Sequence, residues 1–172
     1  GTGEYSGPAS TTCTACAAGK VLINAFTGDE SLACTSCEAG QFSPPGAVKN
    51  SCTACPAGKY LVNAASGDES SACSGCAIGK YSAATAATSE ATCATCPKGS
   101  YTDTEGTVSC YSCPAGRFNN DEATSPNLHN SLSTCSICSA GKYNPDQATD
   151  PALHVSCVDL SLIHISEPTR PL

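Results

Sequence analysis

A chain of 172 residues is long enough for one or two ordinary domains, yet Leu, Ile, Val and Phe supply only 23 of them, which excludes a conventional hydrophobic interior. Fifteen cysteines stand in for that interior, at a density that belongs to disulfide scaffolds or zinc arrays. Eight basic against fifteen acidic side chains leave a net charge of -7, which argues against a nucleic-acid surface because affinity there rests on cations meeting phosphates; no apolar run of about 18 residues offers a membrane span.

Along the chain, residues 1–12 read as the tail of a truncated upstream repeat, with Gly3-Glu4-Tyr5 as its last recognisable piece. The sequence contains no Met and opens inside a repeat, so it reads as an internal fragment. From Cys13 onward one pattern recurs: C-x-x-C-x-x-G, then a Lys or another polar residue, then a bulky side chain. Its copies begin at Cys13, Cys34, Cys52, Cys73, Cys93, Cys110 and Cys135, each with a second cysteine three residues on (Cys16, Cys37, Cys55, Cys76, Cys96, Cys113 and Cys138), and Cys157 follows. Of the nine aromatic residues, only Phe26 and Tyr111 fall outside the position two after the glycine. Starts spaced by 17 to 25 residues mark an array whose units lean on their neighbours. GKVLINAFTGDESLAC at 19–34 and GKYLVNAASGDESSAC at 58–73 are nearly one sequence 39 residues apart, which suggests a module of two short units. The expected modules are 13–51, 52–92, 93–134 and a truncated 135–159.

Within a unit, Lys20 to Asn24 and Lys59 to Asn63 favour strands, and Gly28-Asp29 and Gly67-Asp68 signal turns. The expected fold is therefore an elongated array of small disulfide-rich repeats, each a short two-stranded β ribbon with loops and little core. The repeat glycine is expected at φ > 0, with the following aromatic lying over a disulfide or over the next unit. Asn119 to Asn130, rich in Asn, Asp and Pro, reads as a loop insertion in the sixth unit. Leu160 to Arg170 breaks the pattern; LSLIHISEPTR resembles the translation of a transposon end used in sequencing libraries, so 160–172 is set aside as adapter read-through. Cys157 then lacks the companion that the repeat places at 160.

Three chemistries use C-x-x-C. Structural disulfides closing loops of about 15–20 residues contribute about 3 kcal/mol each, which is what a chain without a core needs. Zinc held by four thiolates fits the spacing too, but the acidic balance and the series without His speak against it. Dithiol redox catalysis wants a thiolate at a helix N-terminus in a βαβ frame, and none is signalled. All fifteen cysteines are read as disulfide cysteines. Two connectivities are economical: first to first and second to second of adjacent pairs (13–34, 16–37, 52–73 and onward, leaving Cys138), or each second cysteine to the next first one (16–34, 37–52 and onward, leaving Cys13). The 39-residue similarity and the interlaced staple of small extracellular modules favour the former.

CTACPAGKYLVNAASGDESSACSGC (52–76) and CATCPKGSYTDTEGTVSCYSCPAGRF (93–118) resemble the ephrin-receptor-like cysteine-rich repeat, C-x-x-C-P-x-G-x-(Tyr or Phe), a Ser/Thr/Gly-rich stretch and another C-x-x-C. Pro56, Pro97 and Pro114 agree with it, whereas Ala17, Glu38, Ala77 and Ser139 replace its proline. The resemblance implies an extracellular EGF-like or TNF-receptor-like disulfide ladder and no kinase activity. The filler SAATAATSEAT also looks like that of lipid-anchored surface antigens of ciliated protists.

No catalytic, cofactor or metal residue is nominated. Asp29/Glu30 and Asp68/Glu69 are the sole calcium-ligand candidates, with solvated turn acids as the plainer reading. His129, His154 and His164 are isolated and read as surface residues. Lys20, Lys59, Lys80, Arg117 and Lys142 repeat as a basic position, either a stripe for an anionic partner or a solvated rim. The expected function is a noncatalytic extracellular or cell-surface region, acting as spacer or as binding ectodomain for a protein or glycan, with neighbouring repeats as intramolecular partners and no nucleic acid. An intracellular zinc-binding interaction module is the alternative. A binding role predicts one unit with unusual apolar exposure, at the sixth unit or at Val21-Leu22-Ile23.

Overall fold

The computed structural model describes residues 3–144 and 150–160; His164 and nearly all of the expected adapter stretch lie outside them. Eight antiparallel ribbons follow in chain order. They pair Glu4–Tyr5 with Thr14–Ala15, Lys20–Leu22 with Cys34–Ser36, Gln41–Phe42 with Thr53–Ala54, and Lys59–Leu61 with Cys73–Gly75. The remaining four pair Lys80–Tyr81 with Ala94–Thr95, Ser100–Tyr101 with Tyr111–Ser112, Arg117–Phe118 with Ser136–Ile137, and Lys142–Tyr143 with Val158–Asp159. The second ribbon also carries Ala47–Val48 in parallel, the one three-stranded sheet among the described residues.

Each ribbon starts at a repeat glycine and returns through the interior of the next C-x-x-C, so it straddles two pairs. Glu4–Tyr5 behaves like every later first strand, as Gly3-Glu4-Tyr5 led us to expect. Strands of two or three residues are too short to stand alone. What holds them is a backbone bond at the ribbon base: the second cysteine's N–H donates to the carbonyl of the glycine, at 2.8 Å for Cys76 on Gly58 and 3.0 Å for Cys96 on Gly79. Leu160 makes the same bond to Gly141 at 2.8 Å, so position 160 keeps the repeat's register with a leucine in place of the cysteine.

The disulfides correct the favoured connectivity. Cys16 bonds Cys34, Cys37 bonds Cys52, Cys55 bonds Cys73, Cys76 bonds Cys93, Cys96 bonds Cys110, Cys113 bonds Cys135 and Cys138 bonds Cys157, all with Cα atoms 5.6–5.8 Å apart. The reason is register. The first cysteine of a pair sits where one ribbon returns, and the second lies past that ribbon's base, where it closes the next one. The interlaced scheme would need both sulfurs of a pair on the same ribbon. Disulfides therefore cross 51/52, 92/93 and 134/135, and the covalent ladder runs on through those positions. Cys13, read as a bridged cysteine, is exposed and bonded to no sulfur. Every other first cysteine bonds the cysteine three residues before its ribbon's glycine, and for Gly3 that position is not in the sequence.

The apolar clusters are small and sulfur-centred. Tyr5 and Leu22 pack on Cys16, Cys34 and Ala33; Phe42 and Leu61 pack on Cys55, Cys73 and Ala72. Each aromatic thus covers the disulfide that closes the following ribbon. The GDES stretches are helix starts as well as turns: Asp29 caps Glu30–Ala33 and Asp68 caps Glu69–Ala72, accepting from Ser31 and Ser71 N–H.

Candidate functional site

The surface is built from ribbons stacked on backbone bonds. A repeat glycine donates its N–H to the residue after the aromatic of the next ribbon: Gly19 to Ser43 at 2.9 Å, Gly58 to Ser82 at 2.7 Å, Gly79 to Thr102 at 2.9 Å and Gly99 to Asn119 at 2.7 Å. Those acceptors are buried, and Asn144, the matching residue of the last ribbon, is buried with them. A column of small polar side chains therefore occupies the place where an ordinary domain keeps its greasy layer. Each buried side-chain polar atom among the described residues has a partner.

Two nominated histidines belong to that column, which corrects their reading as surface residues. His129 and His154 are 0% exposed. His129 Nδ1 lies 2.8 Å from Ser100 O and 3.3 Å from Asn119 Nδ2, and Nε2 lies 3.0 Å from Asp121 Oδ2. Thr102 N–H returns a bond to His129 O at 2.8 Å. His154 repeats the arrangement on the preceding ribbon, with Nδ1 3.2 Å from Arg117 O and its own carbonyl accepting from Asn119 N–H at 2.9 Å. Asn119 and Asn144 anchor these loops, donating through Nδ2 to Leu128 O and Leu153 O at 2.8 Å each. The sixth-unit insertion is thus a latch onto its neighbour. The signal for it lies in the sequence as N-x-D-x-A-T-x-P-x-L-H, present at 119–129 and again at 144–154.

Asp121 gives the latch a pH dependence. The Thr124 hydroxyl above all holds its carboxyl below the usual carboxylate range; burial, next in size, opposes it, and Thr124 N–H and His129 add to the lowering. Because the folded value is depressed, its contribution is complete above the ordinary carboxylate range and is lost as pH falls through that range toward the folded value. Asp121→Asn is expected to flatten the acid limb of the unfolding curve, read by hydrogen exchange at Thr102 N–H between about pH 5 and pH 2; an unchanged limb would rule the carboxylate out as its source.

The other nominated residues are engaged in local structure. Asp29 and Asp68 accept from serine hydroxyls, which, foremost among several causes, lower their pKa values. Glu30 and Glu69 face Lys20 and Lys59 at 3.0 and 2.7 Å. Lys80 faces Glu90 at 2.7 Å, Lys142 faces Asp159 at 3.1 Å, and Arg117 donates to Cys135 O at 3.0 Å. The basic position is therefore a row of cross-ribbon pairs, open to water and worth little each. The sulfurs lie two by two, and no group of three His, Cys, Asp or Glu side chains among the described residues is placed to hold a metal ion.

Two depressions coincide with the two stretches expected to bind. One of about 530 Å³ lies in the sixth unit, but its Asn119, Asp121, Thr124 and Thr134 side chains are engaged inside the latch. The other, about 540 Å³, has Val21 and Ile23 on its floor, with Glu38, Gln41, Lys49 and Asn50 at its sides. Among the described residues none of those four side chains has a hydrogen-bond or ion-pair partner. Phe26, 90% exposed, borders a separate depression with Ser6, Pro8 and Ser10, and Leu32 is 62% exposed.

Residues 84–128 match the sequence model of the family described as tyrosine-protein kinase ephrin type A/B receptor-like. No curated protein matches the chain. No helix among the described residues is long and apolar enough to cross a membrane.

Proposed function

We propose, taking as premise the ephrin-receptor-like repeat at 84–128, that this chain is a noncatalytic extracellular or cell-surface region whose disulfide-locked ribbons present a binding surface at their second ribbon. The observation that carries the reading is covalent: seven consecutive disulfides close seven consecutive ribbons of a chain that has almost no apolar interior. Such a ladder forms and persists in oxidising compartments and is rare in the cytosol, where thiols are kept reduced. It is of the EGF-like and TNF-receptor-like kind, in which staples replace the core. A pure spacer has no need of Phe26 at 90% exposure, so the binding role is favoured for the second ribbon and spacing for the rest.

Thiol and metal counting on protein made in an oxidising compartment tests this. One reactive thiol per chain, lost in Cys13→Ser, and no bound zinc are expected. Several titratable thiols with stoichiometric zinc would replace this reading with the intracellular zinc module.

A further inference from the structure

We infer that the Cys37–Cys52 bridge is a site of thiol–disulfide exchange, opened by a dithiol reductant ahead of the other bridges, and that its opening loosens the sheet of the second ribbon. A thiolate breaks a disulfide only where it reaches one of the two sulfurs. Cys16, Cys55, Cys76, Cys96 and Cys113 are each 0% exposed and so seal one end of five of the seven bridges. Cys37 and Cys52 are both partly exposed, and both line the groove that carries Val21, Glu38 and Lys49.

Charge separates this bridge from Cys138–Cys157, the other that is partly open at both ends. Lys20, Lys59, Lys80, Lys98 and Lys142 each face a carboxylate within 3.1 Å. Lys142, on the ribbon that Cys138–Cys157 closes, is thereby matched by Asp159. Among the described residues Lys49 is the lysine that faces no carboxylate, and it lines the groove three residues before Cys52. The same position before the other bridged first cysteines holds Ser31, Ser70, Glu90, Thr107, Leu132 and the buried His154. An open cation beside an open bridge therefore occurs at this one rung.

In the exchange a thiolate of the reductant attacks Cys37 Sγ and forms a new sulfur–sulfur bond. The bond to Cys52 Sγ breaks, and its electron pair leaves with Cys52 as a thiolate, which then takes a proton. The reductant's second thiol displaces Cys37 in the same way and closes the reductant's own disulfide, so two electrons and two protons pass to the protein. Lys49 steadies the departing Cys52 thiolate, and a steadier leaving thiolate departs faster; Glu38, next to Cys37, opposes the same charge there. The opened loop holds Ala47–Val48, which pairs with Val21–Leu22, and Gly46, whose N–H donates to Cys16 O at 2.8 Å. Both lose the tether that the bridge supplies, and the surface of the second ribbon changes with them. The consequence for binding rests on the function proposed above; the exchange itself does not.

The test is partial reduction of the full chain carrying Cys13→Ser, which removes the free thiol, with a single equivalent of dithiothreitol, followed by acid quenching, alkylation and peptide mass spectrometry. Cys37 and Cys52 are expected to carry about tenfold or more label than any half-cystine of the five sealed bridges. Lys49→Glu should slow their labelling about threefold or more, and Lys49→Arg should keep the rate. In the opened chain, hydrogen exchange at Gly46 N–H should rise while Gly99 N–H, bonded to Asn119 O at 2.7 Å, holds its protection. Even labelling of all seven bridges overturns the inference, as does another bridge opening first, an unchanged rate in Lys49→Glu, or Gly46 protection that survives the opening. The disulfide reading falls by a separate result, thiols that titrate before any reductant is added.

Discussion

Full reduction is expected to unfold the entire ladder in buffer without denaturant. The seven bridges close loops with sequence separations from 14 to 22, each contributing about 3 kcal/mol through the unfolded ensemble. Domains of ordinary stability hold only about 5–15 kcal/mol in all, so the bridges together exceed any margin that the clusters around Tyr5 and Phe42 supply. Amide shift dispersion read by NMR before and after a phosphine reductant measures this, and dispersion that survived reduction would show that the ribbons stand without their sulfurs. A milder version localises the effect. Removing one rung with paired Cys55→Ser and Cys73→Ser takes away the disulfide under Phe42 and Leu61, and should release hydrogen-exchange protection at Gly58 and Cys76 N–H while sparing Gly99 and Cys113, because units in an array transmit stability mainly to neighbours.

The second large effect is expected at Gly58. Its φ is +83°, in the region that side chains resist, and a Cβ there would sit 2.0 Å from Gly106 O. Gly106 belongs to the loop of the ribbon two further on, and its N–H is bonded to Cys76 O at 2.8 Å, so it has little room to retreat. Gly58→Ala combines about 1–2 kcal/mol of backbone strain with about 1–3 kcal/mol of overpacking. Gly116 separates the two: its φ is +73°, yet a Cβ meets nothing within 4 Å, so Gly116→Ala should show the backbone part alone. Urea unfolding of both variants compares them, and equal losses would mean that the approach of ribbons two apart contributes nothing. Gly3, Gly40, Gly79 and Gly99 meet the carbonyls of Gly46, Ala86, Pro126 and Pro151 in the same way. The repeat glycine is therefore needed twice over, for a backbone angle and for contact with the second neighbour.

Much of this was legible before any coordinates. Repetition exposed the glycine, the aromatic and the paired cysteines, because the same local demand recurs in every unit. A shortage of Leu, Ile, Val and Phe announced that sulfur must replace the core. The calcium and anion readings of Asp29, Glu30 and the repeat lysines dissolved into caps and cross-ribbon pairs, since a carboxylate has the same identity whether its partner is a metal, a serine N–H or a lysine ten residues away. The sixth-unit insertion is the loop that its Asn, Asp and Pro content announces, and its part as a latch is legible only when 119–129 is set beside its own repeat at 144–154.

Sequence alone determined the unit, its length, its ribbon and its dependence on disulfides, because each of these follows from composition and spacing within about twenty residues. Sulfur pairing came from the folded arrangement: both economical schemes close loops of similar length, and only strand register tells which cysteine ends one ribbon and which begins the next. Burial of His129 and His154 came from there as well. An imidazole is drawn inward only when a neighbouring ribbon offers a carbonyl at the right place, and which carbonyl arrives there is a property of the stack.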